Sequence, residues 1–211
     1  AIVFSVCCMM LFSNGVQAQD IASNFKMPIG YPDGSGWGLN GGWGYMEYEA
    51  GYDSNGNPFD NNVYHPGEDL NIDSGGNSDC GKEVHASSNG IVTESADYGR
   101  GWGNIIEIKS TLSDGSNVWL IYAHEQVRYV STGDIVQQGD LIGLVGGGYN
   151  NEYSCHLHLE VRLQNLAADY WPEGQSLSAL DEVKYTHPTD FIASHQIDCT
   201  DYTSDITAVK T

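Results

Sequence analysis

No stretch of this chain sustains the 3.6-residue periodicity of an amphipathic helix. Glycines and turn residues instead divide it into short alternating or β-branched runs near 83–94, 103–110, 117–124, 127–131, 135–145 and 156–163. Successive residues of a strand face opposite sides, so each run can bury one face against a second layer while the other carries different chemistry. The chain therefore reads as mainly β, an antiparallel sheet with long loops and little helix. The one helix expected is short, Pro188-Thr189-Asp190-Phe191-Ile192-Ala193-Ser194, closing the domain. Residues 30–57 are rich in Gly, Tyr, Trp and Asn and read as a long ordered loop that walls a groove and leads to His65. Gly146-Gly147-Gly148-Tyr149-Asn150-Asn151 reads as a second rim loop.

Three histidine patterns sit on this framework: His65-Pro66-Gly67-Glu68-Asp69, Tyr122-Ala123-His124 and His156-Leu157-His158. A carboxylate with several imidazoles is the set a catalytic zinc takes when one coordination position stays open for water. At i and i+2 of a strand, His156 and His158 share a face with Cα atoms about 6.6 Å apart, while Cys155 and Leu157 point away. One of the pair is placed to bind an ion and its neighbour to lie beside the water. On a straight strand His65 and Asp69 would be roughly 13 Å apart, too far to share an ion whose bonds are about 2 Å. Pro66 and Gly67 supply the bend, and they also exclude the helical i, i+4 arrangement of His-Glu-x-x-His enzymes. An isolated His-x-His is usually structural. The joint presence of all three patterns is what points to a metal-dependent hydrolase. His85, His187 and His195 read as structural, His85 because no nearby carboxylate or histidine gives it a partner.

Other features exclude functions. Lys and Arg number 8 against 28 Asp and Glu, a formal charge of −20. Nucleic acid and anionic lipid both demand a basic surface, so neither is expected as a partner. Gly34-Ser35-Gly36-Trp37-Gly38 lacks the Lys-Ser/Thr of a phosphate loop. Asp53-Ser54-Asn55-Gly56-Asn57 begins like a calcium loop but places Pro58 where Gly is needed and Tyr64 where a bidentate Glu should stand. A Cys155–His156 nucleophile pair fails because neighbours on a strand face opposite ways. Trp102 and Trp119 read as packing residues.

The first residues speak to location. Ala1 to Leu11 form an uncharged apolar run, and Val16-Gln17-Ala18 is a small-residue cleavage pattern. Residues 1–18 are thus expected to be a signal peptide without its initiator Met and basic n-region, too short to span a bilayer comfortably. The mature chain is expected to be periplasmic or secreted, with no membrane contact after cleavage. Its cysteines are Cys80, Cys155 and Cys199, of which two can pair in an oxidising compartment; the spacing does not choose which.

From Tyr64 to about His195 the chain resembles the lysostaphin-type zinc metallopeptidases, which cut peptide crosslinks in bacterial cell walls. The resemblance rests on His65-Pro66-Gly67-Glu68-Asp69-Leu70, Gly81 to Ala86, Asn89-Gly90-Ile91-Val92, Gly101-Trp102-Gly103-Asn104, Tyr122-Ala123-His124, Gly133 to Gly143 and His156-Leu157-His158-Leu159-Glu160-Val161, in that order. It implies that His65, Asp69 and His158 bind zinc (Zn2+), and that His124 and His156 flank the attacking water and assist proton transfer and oxyanion stabilisation. All five are present; His85 and Leu159 stand where the family often has aromatics. The implied domains are a Gly- and aromatic-rich segment 19–63, a peptidase domain 64–195 and a tail 196–211. The implied function is a monomeric endopeptidase acting on peptidoglycan crosslinks. The alternatives are a wall-binding or amidase-activating protein without catalysis and a secreted protease for Gly-rich proteins. Gly133 to Gly143 also resembles the half-barrel repeat of lipoyl and biotinyl carriers. With no lysine in 111–160 to hold a prosthetic group, that likeness is architectural and points to a half-barrel fold with a duplicated hybrid motif.

Overall fold

The computed structural model describes residues 21–52, 58–172, 176–177 and 184–196. The proposed signal segment, the Asp53–Asn57 loop, Cys199 and most of the tail lie outside these residues. In chain order the elements are β1 (Trp37–Gly38), β2 (Tyr48–Tyr52), β3 (Pro58–Tyr64), β4 (Glu68–Ile72), β5 (Glu83–His85), β6 (Gly90–Asp97) and β7 (Asn104–Thr111). They continue with β8 (Asn117–Glu125), β9 (Val127–Arg128), β10 (Ile135–Val136), β11 (Leu141–Leu144), β12 (Leu157–Arg162), β13 (Tyr185–Thr186) and α1 (Pro188–Ser194). The main sheet runs β1-β4-β12-β8-β7-β6-β10 with β13 beside β12. A second sheet, β5-β11-β9, and the hairpin β2-β3 complete a mainly β architecture in which every strand pairing among the described residues is antiparallel. No described helix is long and apolar enough to cross a membrane.

The register sorts the main sheet into two chemically different faces. Leu159, Tyr122 and Ile106 lie in one row and Val161, Leu120 and Ile108 in another. These side chains, with Leu70 and Leu157, form the principal core beneath Phe25, Phe191 and Ile192. Burying each large apolar side chain contributes about 1.5–3 kcal/mol. Residues of the opposite parity form the other face, with Asp69, His158, Ala123 and Ile105 in one row and Glu160, Ile121 and Glu107 in the next. The alternation that builds the core therefore also collects the polar residues. Helix α1 is capped from β4: Glu68 accepts the backbone N–H of Thr189 at 2.8 Å, while the helix's own N-cap residue supplies no side-chain bond.

Several expectations from the sequence are corrected. The run 83–94 is two strands in different sheets, and 135–145 splits likewise, into β10 on β6 and β11 on β5. Both breaks fall at one corner, where the Ala86 N–H donates to the Asp140 carbonyl, the Gly139 N–H donates to the Ala86 carbonyl, and Gly139 adopts φ +89°. Turn residues Ser87-Ser88-Asn89-Gly90 and Gln137-Gln138-Gly139-Asp140 mark the breaks, but local patterning carries no information on which sheet each half joins. The stretch 30–57 is not wholly loop, since it contains β1 and β2. His85 does have partners: Glu83 at 3.3 Å, two residues away on the same strand face, and the Gly139 carbonyl at 3.0 Å. The cysteines that pair are Cys80 and Cys155, 75 residues apart. A closed loop of that length stabilises by about 4 kcal/mol in the chain-entropy account.

Glu125 at the end of β8 is buried, and neither carboxylate oxygen has a hydrogen-bond partner among the described residues. Burial alone raises its pKa well above the ordinary 4.5. Below that value the carboxyl is protonated in both folded and unfolded chains. As pH climbs, the unfolded chain loses its proton first, so this contribution to stability falls until the folded value is passed. Melting curves between pH 4 and 9 are expected to show this decline in the wild type relative to Glu125→Gln. Glu125→Leu should gain about 1–3 kcal/mol at pH 7, the cost of an unpaired buried polar group. Parallel profiles for wild type and Glu125→Gln would refute the assignment.

Candidate active site

His65 directly follows β3 and Asp69 is the second residue of β4, with Pro66 and Gly67 folding the chain between them. Gly67 is demanded by a close pass, because a Cβ there would lie 2.4 Å from the Leu159 carbonyl oxygen. The fold brings His65 Nε2 to 3.1 Å from Asp69 Oδ1. Asp69 and His158 are direct cross-strand partners of β4 and β12, and His158 Nδ1 lies 3.0 Å from the same oxygen. His158 Nδ1 and His65 Nε2 are 2.9 Å apart, which closes a triangle of three donor atoms.

Bonds on the outer side decide what those atoms present. His65 Nδ1 lies 2.9 Å from the Gly67 carbonyl oxygen and His158 Nε2 lies 2.9 Å from Glu160 Oε1. Both neighbours only accept, so each outer nitrogen carries the hydrogen and each inner nitrogen turns a lone pair into the triangle. Two lone pairs and a carboxylate oxygen thus converge with no hydrogen of their own between them. Such an arrangement requires a positive charge. A tetrahedral zinc with bonds of about 2.0–2.1 Å sets its ligand atoms roughly 3.3 Å apart, within a few tenths of an ångström of this triangle. The donor set therefore fits the ion.

The electrostatics agree. Burial opposes charge on Asp69, but the hydrogen bonds and charges of His158 and His65 hold its carboxyl well below the usual carboxylate range. Burial likewise opposes charge on His158, yet the hydrogen bonds to Asp69 and Glu160 outweigh it and push the imidazole up to about 9. The site draws a cation to itself, as a proton where no metal ion is present.

His124 and His156 stand beside the triangle. Their rings are 4.7 Å apart, and His124 is 5.5 Å from the His158 ring. His156 Nε2 points inward, 3.6 Å from Asp69 Oδ1, while its Nδ1 donates to the Ser154 carbonyl at 2.8 Å. His124 reaches the site by a route that strand alternation does not provide. Ala123 already faces the site, so regular alternation would send His124 toward the core. Instead β7 pairs Asn104 with Glu125 and Ile105 with Ala123, leaving His124 as the extra residue of a β-bulge at φ +65°. Such a conformation in a non-glycine residue costs about 1–3 kcal/mol and is typical of functional positions. His124 Nδ1 donates to the Trp102 carbonyl at 2.9 Å, which turns Nε2 away from that bond. Burial, then repulsion from His158 and His156, lowers its pKa to about 3, so it is neutral at ordinary pH.

All five residues singled out from the sequence are thus brought together, while His85, His187 and His195 lie elsewhere. A second acid–thiol group, Asp79 with Cys80 and Cys155, has its sulfurs committed to the disulfide. Aromatic side chains border the centre. Trp102 and Trp171 pack on the His158 ring at 5.6 and 6.2 Å, and half-exposed Tyr153 lies 5.1 Å from His124. Sequence reasoning left Glu160 and Arg162 without roles, although both continue the i, i+2 series of His156 and His158 along β12.

The family model for peptidase family M23 matches residues 64–170. Endolysin 2638A of Staphylococcus phage 2638A is 37% identical over 108 residues, 49% of this chain. The match accounts for 21% of that relative's length. The catalytic domain of the antimicrobial peptidase lysostaphin from Staphylococcus simulans superposes with a TM-score of 0.50 at 24% identity, covering 74% of this chain and 95% of that one. A structure of lysostaphin from the same organism gives 0.52 at 22% identity, covering 82% and 56%. These likenesses concern the fold. Over half its length, including every residue of the histidine site, the chain belongs to peptidase family M23.

Proposed function

We propose that this chain is a zinc-dependent endopeptidase that hydrolyses peptide bonds in bacterial cell-wall peptidoglycan, with residues 64–195 as its catalytic domain. His65, Asp69 and His158 hold the ion, and His124 and His156 serve the reaction. The observation that carries this reading is the triangle of hydrogen-free donor atoms with sides of 2.9–3.1 Å and two further imidazoles beside it. When bound, zinc held by two neutral imidazoles and a carboxylate supplies Lewis acidity and brings the pKa of water toward about 7.

The chain's own groups do the rest. Neutral His124 accepts a proton from the attacking water at Nε2, the nitrogen left open by its bond to the Trp102 carbonyl. His156 lies across the centre with Nδ1–H on the Ser154 carbonyl and Nε2 inward, and in its imidazolium form it donates from Nε2 to the oxygen on which negative charge builds. Tyr153, beside His124, and exposed Trp43, whose backbone carbonyl accepts the Asp69 N–H at 2.9 Å, are candidates to hold an extended peptide. Membership of a peptidase family and the endolysin relative support a cell-wall substrate. The Cys80–Cys155 bond supports an exported, oxidised protein.

The test is a digest of purified sacculi with mass spectrometry of the released products. New peptide termini are expected, to disappear when zinc is removed with a chelator and to return with one equivalent of the metal. A chain that binds sacculi and frees no termini is instead a non-catalytic wall protein.

A further inference from the structure

Four side chains at alternate positions project to one sheet face, His156 just before β12 and His158, Glu160 and Arg162 within it. The proposed chemistry uses the first two. Glu160 and Arg162 are wholly buried, and two buried charges carry a desolvation cost that apolar residues would avoid. On the reading that His65, Asp69 and His158 hold zinc, we infer that Glu160, backed by Arg162, is a positioning residue that fixes the His158 ring with Nδ1 toward the ion.

The geometry argues for this through both carboxylate oxygens. Glu160 Oε1 lies 2.9 Å from His158 Nε2, and Oε2 accepts from Arg162 Nε, so the group is held at both ends and cannot rotate away. An acceptor at Nε2 excludes the tautomer that would place a hydrogen inside the donor triangle. Carboxylates in this position behind a zinc-binding histidine set its ring orientation and raise its basicity. Arg162 is fixed in turn by the carbonyls of Ala167, Ala168 and Tyr170 at 2.7, 3.2 and 3.3 Å. The segment it grips carries Trp171, whose ring packs on His65 and His158 at 6.0 and 6.2 Å. One guanidinium therefore ties the relay to the segment covering the two imidazoles. A pair serving only to stabilise the fold would not need an oxygen aimed at the outer nitrogen of His158.

Nuclear magnetic resonance of the zinc-loaded, 15N-histidine-labelled chain tests the point. His158 is expected to bind through Nδ1 and to show a slowly exchanging Nε2–H. Glu160→Gln is expected to shift that resonance and weaken zinc binding by about 10–100-fold in chelator competition, leaving the His65 signal in place. The double variant Glu160→Gln/Arg162→Met removes the charge otherwise stranded on Arg162 and should show the same loss of affinity. Zinc bound through Nε2 of wild-type His158, or wild-type affinity in either folded variant, overturns the inference alone. A wild-type chain that takes up no zinc overturns both this inference and the proposed function.

Discussion

His158→Ala is expected to lose stoichiometric zinc and to lower crosslink cleavage by more than about 10³-fold, to the background of the assay. Ligand count and position decide this outcome. His158 Nδ1 is the corner of the donor triangle nearest to both others, 2.9 Å from His65 Nε2 and 3.0 Å from Asp69 Oδ1. Without it, one imidazole and one carboxylate remain, fewer than the three protein ligands a catalytic zinc requires. The Glu160–Arg162 pair keeps its own bond, and the core face of β12 is untouched, so a folded but metal-free protein should result. Metal analysis after gel filtration, circular dichroism and a sacculus digest together check the result. A variant that holds one zinc per chain and still cleaves would remove His158 from the ligand set.

His124→Ala is expected to retain zinc and lose turnover by about 10²–10⁴-fold, the range for a proton-transfer group. His124 is outside the triangle, yet its neutral ring lies 4.7 Å from His156 and 5.5 Å from His158. Because position 124 has φ +65°, alanine leaves the backbone strained while removing the chemistry. His124→Gly separates the two effects. It should melt higher than His124→Ala, since glycine adopts that conformation freely, and be equally inactive. Metal content and kcat on a soluble crosslinked peptide check both variants. Normal turnover in either would end the assignment of proton transfer to His124.

The ease with which each part could be anticipated follows from the range of the interactions involved. The His-x-His spacing was enough to put His156 and His158 on one face and Leu157 in the core, because the two-residue period of a strand is local. The helix Pro188–Ser194 appears as expected from the composition of that short segment. The bend between His65 and Asp69 was also foreseeable from Pro66-Gly67. Gly67, however, answers to a close approach by β12, a contact 92 residues away in sequence. The partners of His85 were missed although Glu83 stands two residues before it on the same face.

Residue types, strand period and motif order thus settle that this chain is mainly β and carries a set of imidazoles and a carboxylate suited to a metal ion. Three things required the folded chain: the choice of Cys80 as partner of Cys155, the bulge that turns His124 out of the core, and the Arg162–Glu160 support behind His158. Each depends on which strands lie side by side and in what register. Register is a property of paired backbones, and a one-residue bulge reverses a side chain's face without leaving any mark in the pattern of apolar and polar residues.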